Sequence, residues 1–155
     1  NKAAYLVATA GLSQGTDGAY QFMAAAMLAG MVPPLAMALS STVRPKLYSP
    51  AEQHSGKAAW LLGLSFISEG AIPFAATDPL RVIPSMMVGG AVTGALAMAL
   101  GVGCRAPHGG IFVLFAYTNI LGAIIALVAG VAVGAAAITF AKVNRKKPAA
   151  AKVSN

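Results

Sequence analysis

"ISEGAIPFAATDPLRVIP", residues 67–84, decides how this chain is to be read. It lies among apolar residues, yet it carries Glu69, Asp78, Arg81 and three prolines. Upstream, Ser49-Pro50-Ala51-Glu52 has the form of a capping box with proline at the first helical position, which predicts a helix start. The apolar part of that helix, Ala58–Ile67, is ten residues long. At about 1.5 Å per residue it reaches only halfway across a bilayer. Gly70 and Pro73 are expected to stop it, and Asp78-Pro79 to cap and start the next helix. The stretch therefore reads as a break between two helical pieces at membrane depth. Irregular backbone survives there only inside protein or beside a water-filled cavity, and transporters build substrate sites from such interrupted helices.

The surroundings support lipid as the solvent. Only 10% of residues are charged, against about 25% in soluble domains, and the mean hydropathy is +0.72. Three long runs carry no charge: Ala19–Val43, Val82–Val102 and Ile111–Ala141. Each is long enough to span a membrane, for which about 20 apolar residues suffice. The fold class expected is an all-α membrane protein with three transmembrane helices and a broken, re-entrant helical hairpin. Ala3–Thr16 is also uncharged but short, and Asp17 is a plausible N-cap for the first span. Pro33-Pro34 predicts a kink inside that span. Gly90 with Gly94, and Gly130 with Gly134, form small-xxx-small faces for close helix packing. The chain starts at Asn1 without a signal-peptide pattern, and reads as a piece of a longer polypeptide.

The net charge of +7 gathers in two places: Arg44, Lys46 and Lys57 around one loop, and Lys142, Arg145, Lys146, Lys147 and Lys152 in the tail. Basic flanks of spans mark the cytoplasmic side, so residues 1–141 are expected to form the membrane unit and 142–155 a basic cytoplasmic tail or linker. The clusters lack aromatic interleaving, which argues against nucleic acid. The lone Cys104 excludes an intrachain disulfide, and His54 and His108 lack metal-ligand spacing, so neither a metal nor another cofactor is expected.

Glu69 is the first candidate for chemistry. An ionisable side chain inside a membrane is costly and faces a cavity or a partner. A carboxylate can accept a hydrogen bond from a sugar hydroxyl or act as a base toward it. Asp78 is explained as a helix cap. Arg81 fits three roles equally: a cation at the membrane edge, a partner for Glu69, or a phosphate ligand. The second constellation is "CRAPHGGIF", residues 104–112, just before the last apolar run. Arg105 and His108 supply charged donors, and Gly109 and Gly110 let a ligand approach a helix N-terminus. An ordinary interfacial loop explains the same residues.

At "DGAYQFMAAAMLAGMVPPLAMAL", "GKAAWLLGLSFISEGAIPFAATDPLRVIPSMMVGGAVTGALAMALG" and "RAPHGGIF" the chain resembles the fructose-specific membrane subunit (IIC) of the bacterial phosphoenolpyruvate-dependent sugar phosphotransferase system, in its C-terminal half. The resemblance implies a permease in the bacterial inner membrane that phosphorylates fructose as it is translocated. It implies a IIB partner carrying phosphate on a cysteine, a missing N-terminal half of IIC, and a homodimer. It assigns sugar contact to Glu69, and to His108 a part in binding sugar or the incoming phosphoryl group; Asp78, Arg81, Arg105, Gly109 and Gly110 are added as substrate-binding candidates from the reading of the residues alone. Alone, the chain is expected to be inactive. A proton-coupled carrier releasing free sugar, and a structural fragment of a membrane complex, are the competing readings. A topology with loop and tail on one side puts His108 on the other, unless the last run dips inward; the sequence permits both.

Overall fold

The computed structural model describes residues 6, 7, 9–11 and 17–144. The Asp17 side chain, most of the stretch 3–16 and the tail from Arg145 onward lie outside the described residues. The described residues contain no strand; an isolated bridge pairs Cys104 with Tyr117. From Asp17 onward the described residues form five α-helices: α1 (Asp17–Val43), α2 (Pro50–Leu64), α3 (Ile72–Thr77), α4 (Pro79–Ala99) and α5 (Ile120–Val143). Short 3-10 segments at Pro45–Leu47, Ser68–Ala71 and Gly110–Ala116 join them. Helices α1, α4 and α5 are long and apolar enough to cross a membrane. The chain is thus an all-α, multi-pass membrane protein.

Helix α1 is the central post. At 27 residues it is about 40 Å long, and it is far more enclosed than α4 or α5. Met23, Met27, Leu28 and Met31 on one stretch, and Val32, Ala36 and Met37 on the next, each anchor an apolar cluster. Helix α4 crosses against it, with Asp78 at the Val43 end, and α5 returns parallel to α1. One end is closed by Ser40 and Thr139, whose hydroxyls are 2.8 Å apart. At the other end the Asn119 amide donates to the Leu100 carbonyl, and the Cys104 amide to the Tyr20 carbonyl. The loop around Pro45 and the C-terminal end of α5 therefore share a side.

Helix α4 meets α5 through Gly89, Thr93, Gly130 and Gly134. A Cβ on Gly130 would collide with the Thr93 hydroxyl, and one on Gly89 would lie 2.8 Å from the Gly130 carbonyl oxygen. The α5 half of the expected small-residue contact holds. On α4 the contact is one residue earlier than expected, because Gly94 has nothing within 4 Å and Gly90 only grazes Ala29. The expected 31-residue final run is also divided. Gly110–Ala116 is 3-10, and the long helix begins at Ile120, where the Asn119 side chain caps the Gly122 amide.

The broken element is a re-entrant hairpin. Helix α2 starts at the predicted capping box, Ser49 with Glu52, both bonds being made. It ends at Leu64, earlier than Gly70 or Pro73 would have stopped it, and Pro73 instead opens α3. Helix α2 climbs half of α1: Gly56 sits against Ser41, Gly63 against Leu35. The tip, Ser65–Ala71, then lies beside the middle of α1.

The two prolines explain why it stops there. Pro34 has no N–H, so the carbonyl of Gly30, four residues earlier, loses its helical donor. The Ser68 hydroxyl donates to that carbonyl at 2.8 Å. Gly30 is the middle residue of α1. The proline pair, expected only to kink the span, thereby opens an acceptor for the hairpin tip at mid-depth.

The base of the hairpin is clamped. The Thr77 hydroxyl, at the end of α3, donates to Glu52 at 2.9 Å, and the Lys142 ammonium lies 3.2 Å from the same carboxylate oxygen. The ammonium also stands 4.0 Å from the centre of the Tyr48 ring. Lys142, assigned from sequence to the basic tail or linker, is instead buried in the last turn of α5. Burial pushes the Glu52 carboxyl up, but the Ser49 amide, the Thr77 hydroxyl and the Lys142 ammonium outweigh it and hold the group below its usual 4.5.

Two outcomes follow. Ser68→Ala strands the Gly30 carbonyl and should destabilise the protein by about 1–3 kcal/mol. Adding Pro34→Ala restores a helical donor, so the double variant should melt above Ser68→Ala alone in detergent; no recovery would disprove the pairing. The Glu52 clamp is complete above its unfolded pKa and is lost as pH falls through its lower folded value. Thermal unfolding scans should therefore show an acid-side loss of stability below about pH 4.5 that is shallower in Glu52→Gln.

Candidate functional site

The hairpin enters from the side of the Pro45 loop. A second segment enters from the opposite side and meets its tip. The neck of that segment is closed by the Thr118 amide donating to the Gly103 carbonyl at 2.9 Å, and the Arg105 amide to the Ala116 carbonyl at 3.2 Å. Between these points the chain dips inward, and Ile111, Val113 and Leu114 pack on the core around Met27 and Met31.

Gly110 fixes the contact. It has φ +59 and lies on the backbone of Leu64 to Phe66. A Cβ there would strike the Leu64 carbonyl and come within 2.8 Å of the Phe66 amide nitrogen. Beside it the His108 ring packs edge-to-face on Phe66, with centroids 5.4 Å apart and planes at 69°. Phe66 itself has φ +64, the left-handed region that a bulky side chain seldom occupies. Strain of this kind costs on the order of 1–3 kcal/mol and must be held by its surroundings. The two stretches singled out in the sequence are thus brought together, because the last run does dip inward.

The candidate residues fare differently within this frame. Glu69 is exposed, three residues beyond Phe66 in the 3-10 turn. Of the acids whose side chains are described, Glu52 and Asp78 are ion-paired, and the Glu69 carboxylate makes no hydrogen bond or ion pair. His108 is also exposed. Asp78 precedes α4 as expected, with Pro79 at the first helical position, but its side chain makes no capping bond. Instead the Arg81 guanidinium donates to both its oxygens at 3.0 Å. Arg81 is therefore the partner of Asp78, not of Glu69; the preference of a guanidinium for a two-oxygen acceptor explains the exchange. Arg105 is exposed, with its guanidinium over the Tyr20 ring at 5.7 Å. Gly109 caps and Gly110 opens a 3-10 segment, so the long helix expected to start there begins only at Ile120.

Two features were missed in the sequence. Lys142 reads as one cation among many, and only its 90-residue separation from Glu52 in the chain hides the pair. Phe66 carried no signal beyond being apolar. Cys104 is buried 3.8 Å from the Met27 sulfur, and burial raises its thiol, the opposite of an activated thiolate. A cavity of about 440 Å³ opens between α1, α2 and α5, lined by apolar side chains such as Leu28, Met31, Leu64, Ile111 and Leu127. Neither Glu69 nor His108 lines it, and it offers a sugar few polar partners.

Known proteins are similar to this sequence. The chain is 54% identical over 145 residues to the PTS system fructose-specific EIIB'BC component of Escherichia coli, covering 92% of this chain and 25% of that protein. It is 51% identical over 152 residues to the component of the same name from Vibrio cholerae, covering 98% and 26%. It is 53% identical over 114 residues to the PTS system fructose-specific EIIC component of Haloferax volcanii, covering 74% and 30%. No family model matches, and no solved structure matches.

Gly110→Ala should push the loop off the hairpin tip and cost about 1–3 kcal/mol, as overpacking does. Gly94→Ala, with open space around it, should melt no lower than the parent. Equal melting of all three proteins would remove the close contact. The chain spans about a quarter of the length of the two EIIB'BC relatives, and over that span its sequence is similar to fructose-specific phosphotransferase-system components.

Proposed function

We propose that this chain is the sugar-contacting segment of a fructose permease of the phosphotransferase system, one that phosphorylates its cargo during translocation. The observation that carries the reading is Glu69: a carboxylate left without a partner at the tip of a re-entrant hairpin, where the His108 loop arrives from the other side. A sugar hydroxyl would donate to Glu69, which takes its proton as the phosphorus–sulfur bond of a cysteinyl phosphate donor breaks and the new phosphorus–oxygen bond forms. His108 would bind the sugar or the arriving phosphoryl group. Such transfer depends chiefly on positioning and electrostatics, which the tip and loop can supply.

The donor is a IIB domain of the same longer protein or a separate IIB partner, and the activity is that of a protein-phosphohistidine–sugar phosphotransferase system. The rest of the longer protein encloses the sugar around Glu69, since both candidate residues are open on this chain. Without that remainder the chain is inactive. The protein sits in the bacterial inner membrane as a homodimer. The side shared by Arg44, Lys46 and the end of α5 is cytoplasmic, because basic flanks face inward. Arg81, at that side, keeps its Nη1 on both Asp78 oxygens and retains its other N–H groups for a phosphate.

The test uses full-length protein in membrane vesicles with labelled fructose and phosphorylated donor. Glu69→Gln should reduce sugar phosphate formation by on the order of a hundredfold, the scale of general-base loss, at unchanged membrane content. An undiminished rate would remove Glu69 from the mechanism. Recovery of free sugar in place of sugar phosphate from the unaltered protein would favour a carrier.

A further inference from the structure

We infer that Phe66 is a positioning residue that holds His108 and the Glu69 turn in register. The inference rests on the proposed phosphorylating site and adds a residue to it.

Three observations converge on this side chain. Its ring supports the His108 imidazole edge-to-face at 5.4 Å. His108 is exposed and follows Ala106-Pro107, so without this contact little would fix the imidazole. Second, the Phe66 backbone occupies the left-handed region, where a glycine would sit without strain, and the chain carries an aromatic residue there instead. A turn with φ +64 reverses the chain after α2 and delivers Ser68 to the Gly30 carbonyl and Glu69 to the open face. Third, Gly110 packs so closely on the Leu64–Phe66 backbone that loop and tip move together or separate altogether. The backbone of Phe66 thus sets Glu69, and its ring sets His108.

The role makes separable demands on ring and backbone. Phe66→Gly relieves the backbone and removes the ring. Phe66→Leu keeps bulk and loses the aromatic edge. Phe66→Tyr keeps the ring. In the full-length protein, with rates normalised to folded protein by detergent melting and size-exclusion profiles, Phe66→Gly and Phe66→Leu should each lower kcat for sugar phosphate formation by on the order of tenfold to a hundredfold, the cost of misplaced groups. KM for fructose should stay within about twofold. Phe66→Tyr should retain most of the rate. In a His108→Gln background, Phe66→Leu should lose its effect, since a residue acting through another is not additive with it.

An unaltered kcat in both Phe66→Gly and Phe66→Leu overturns the assignment while the functional reading stands. Full additivity with His108→Gln, or a loss confined to KM, overturns it equally. Free sugar in place of sugar phosphate from the unaltered protein overturns the functional reading, and the assignment with it.

Discussion

The hydrogen bond from the Ser68 hydroxyl to the Gly30 carbonyl is the constraint on which the rest of the structure depends. It exists because Pro34 withholds an amide that every other residue would have supplied. A vacant acceptor at the centre of a membrane helix is costly unless something reaches it. Here the hairpin tip reaches it, and the depth of the tip is fixed by the position of a proline in another helix. Glu69 follows Ser68 directly, so the same bond sets how deep that carboxylate lies.

A tip held at one point would still swing. The base is held by the Glu52 carboxylate, which accepts from Thr77 on the returning leg and pairs with Lys142 on α5. One acid therefore ties both legs of the hairpin to the last membrane helix. A buried ion pair of this kind is a weak source of net stability, because desolvation consumes most of its Coulomb gain. Its effect is geometric: breaking it leaves a charge without a partner, which is far more expensive than never having had one. The hairpin is a rigid lever because its two fixed points lie at opposite ends.

Much of this was legible in the sequence, and the reasons differ by element. The capping box at Ser49–Glu52 is local chemistry, and it stood as read. Three spans and the re-entrant hairpin held as well, since length and hydropathy set them, although the last span starts at Ile120 and not at Ile111. The Gly130 and Gly134 face was correct, but the partner stripe on α4 began at Gly89, because rotation about a helix axis is decided by the neighbour and not by the glycines alone. The end of α2 at Leu64 was misplaced because Phe66 turned the chain first, in a conformation that no propensity assigns to phenylalanine. The Asp78–Arg81 pair and the Glu52–Lys142 pair were not read for one reason: charges choose among partners by geometry, and sequence supplies only the candidates.

The same accounting explains why a chain this apolar keeps acids near its middle. Asp78 is answered by Arg81 and Glu52 by Lys142, so their charges are spent within the fold. Glu69 is answered by nothing in the described residues, although it stands between them in sequence and Arg81 is twelve positions away. Arg81 is turned to its own helix start, and the proline-pinned tip holds Glu69 on the opposite end of the hairpin from the clamp. Folding stability gains nothing from a carboxylate placed so. The unpaired carboxylate is the feature on which the proposed function rests, and the Phe66–His108 contact puts a second polar group at the same tip.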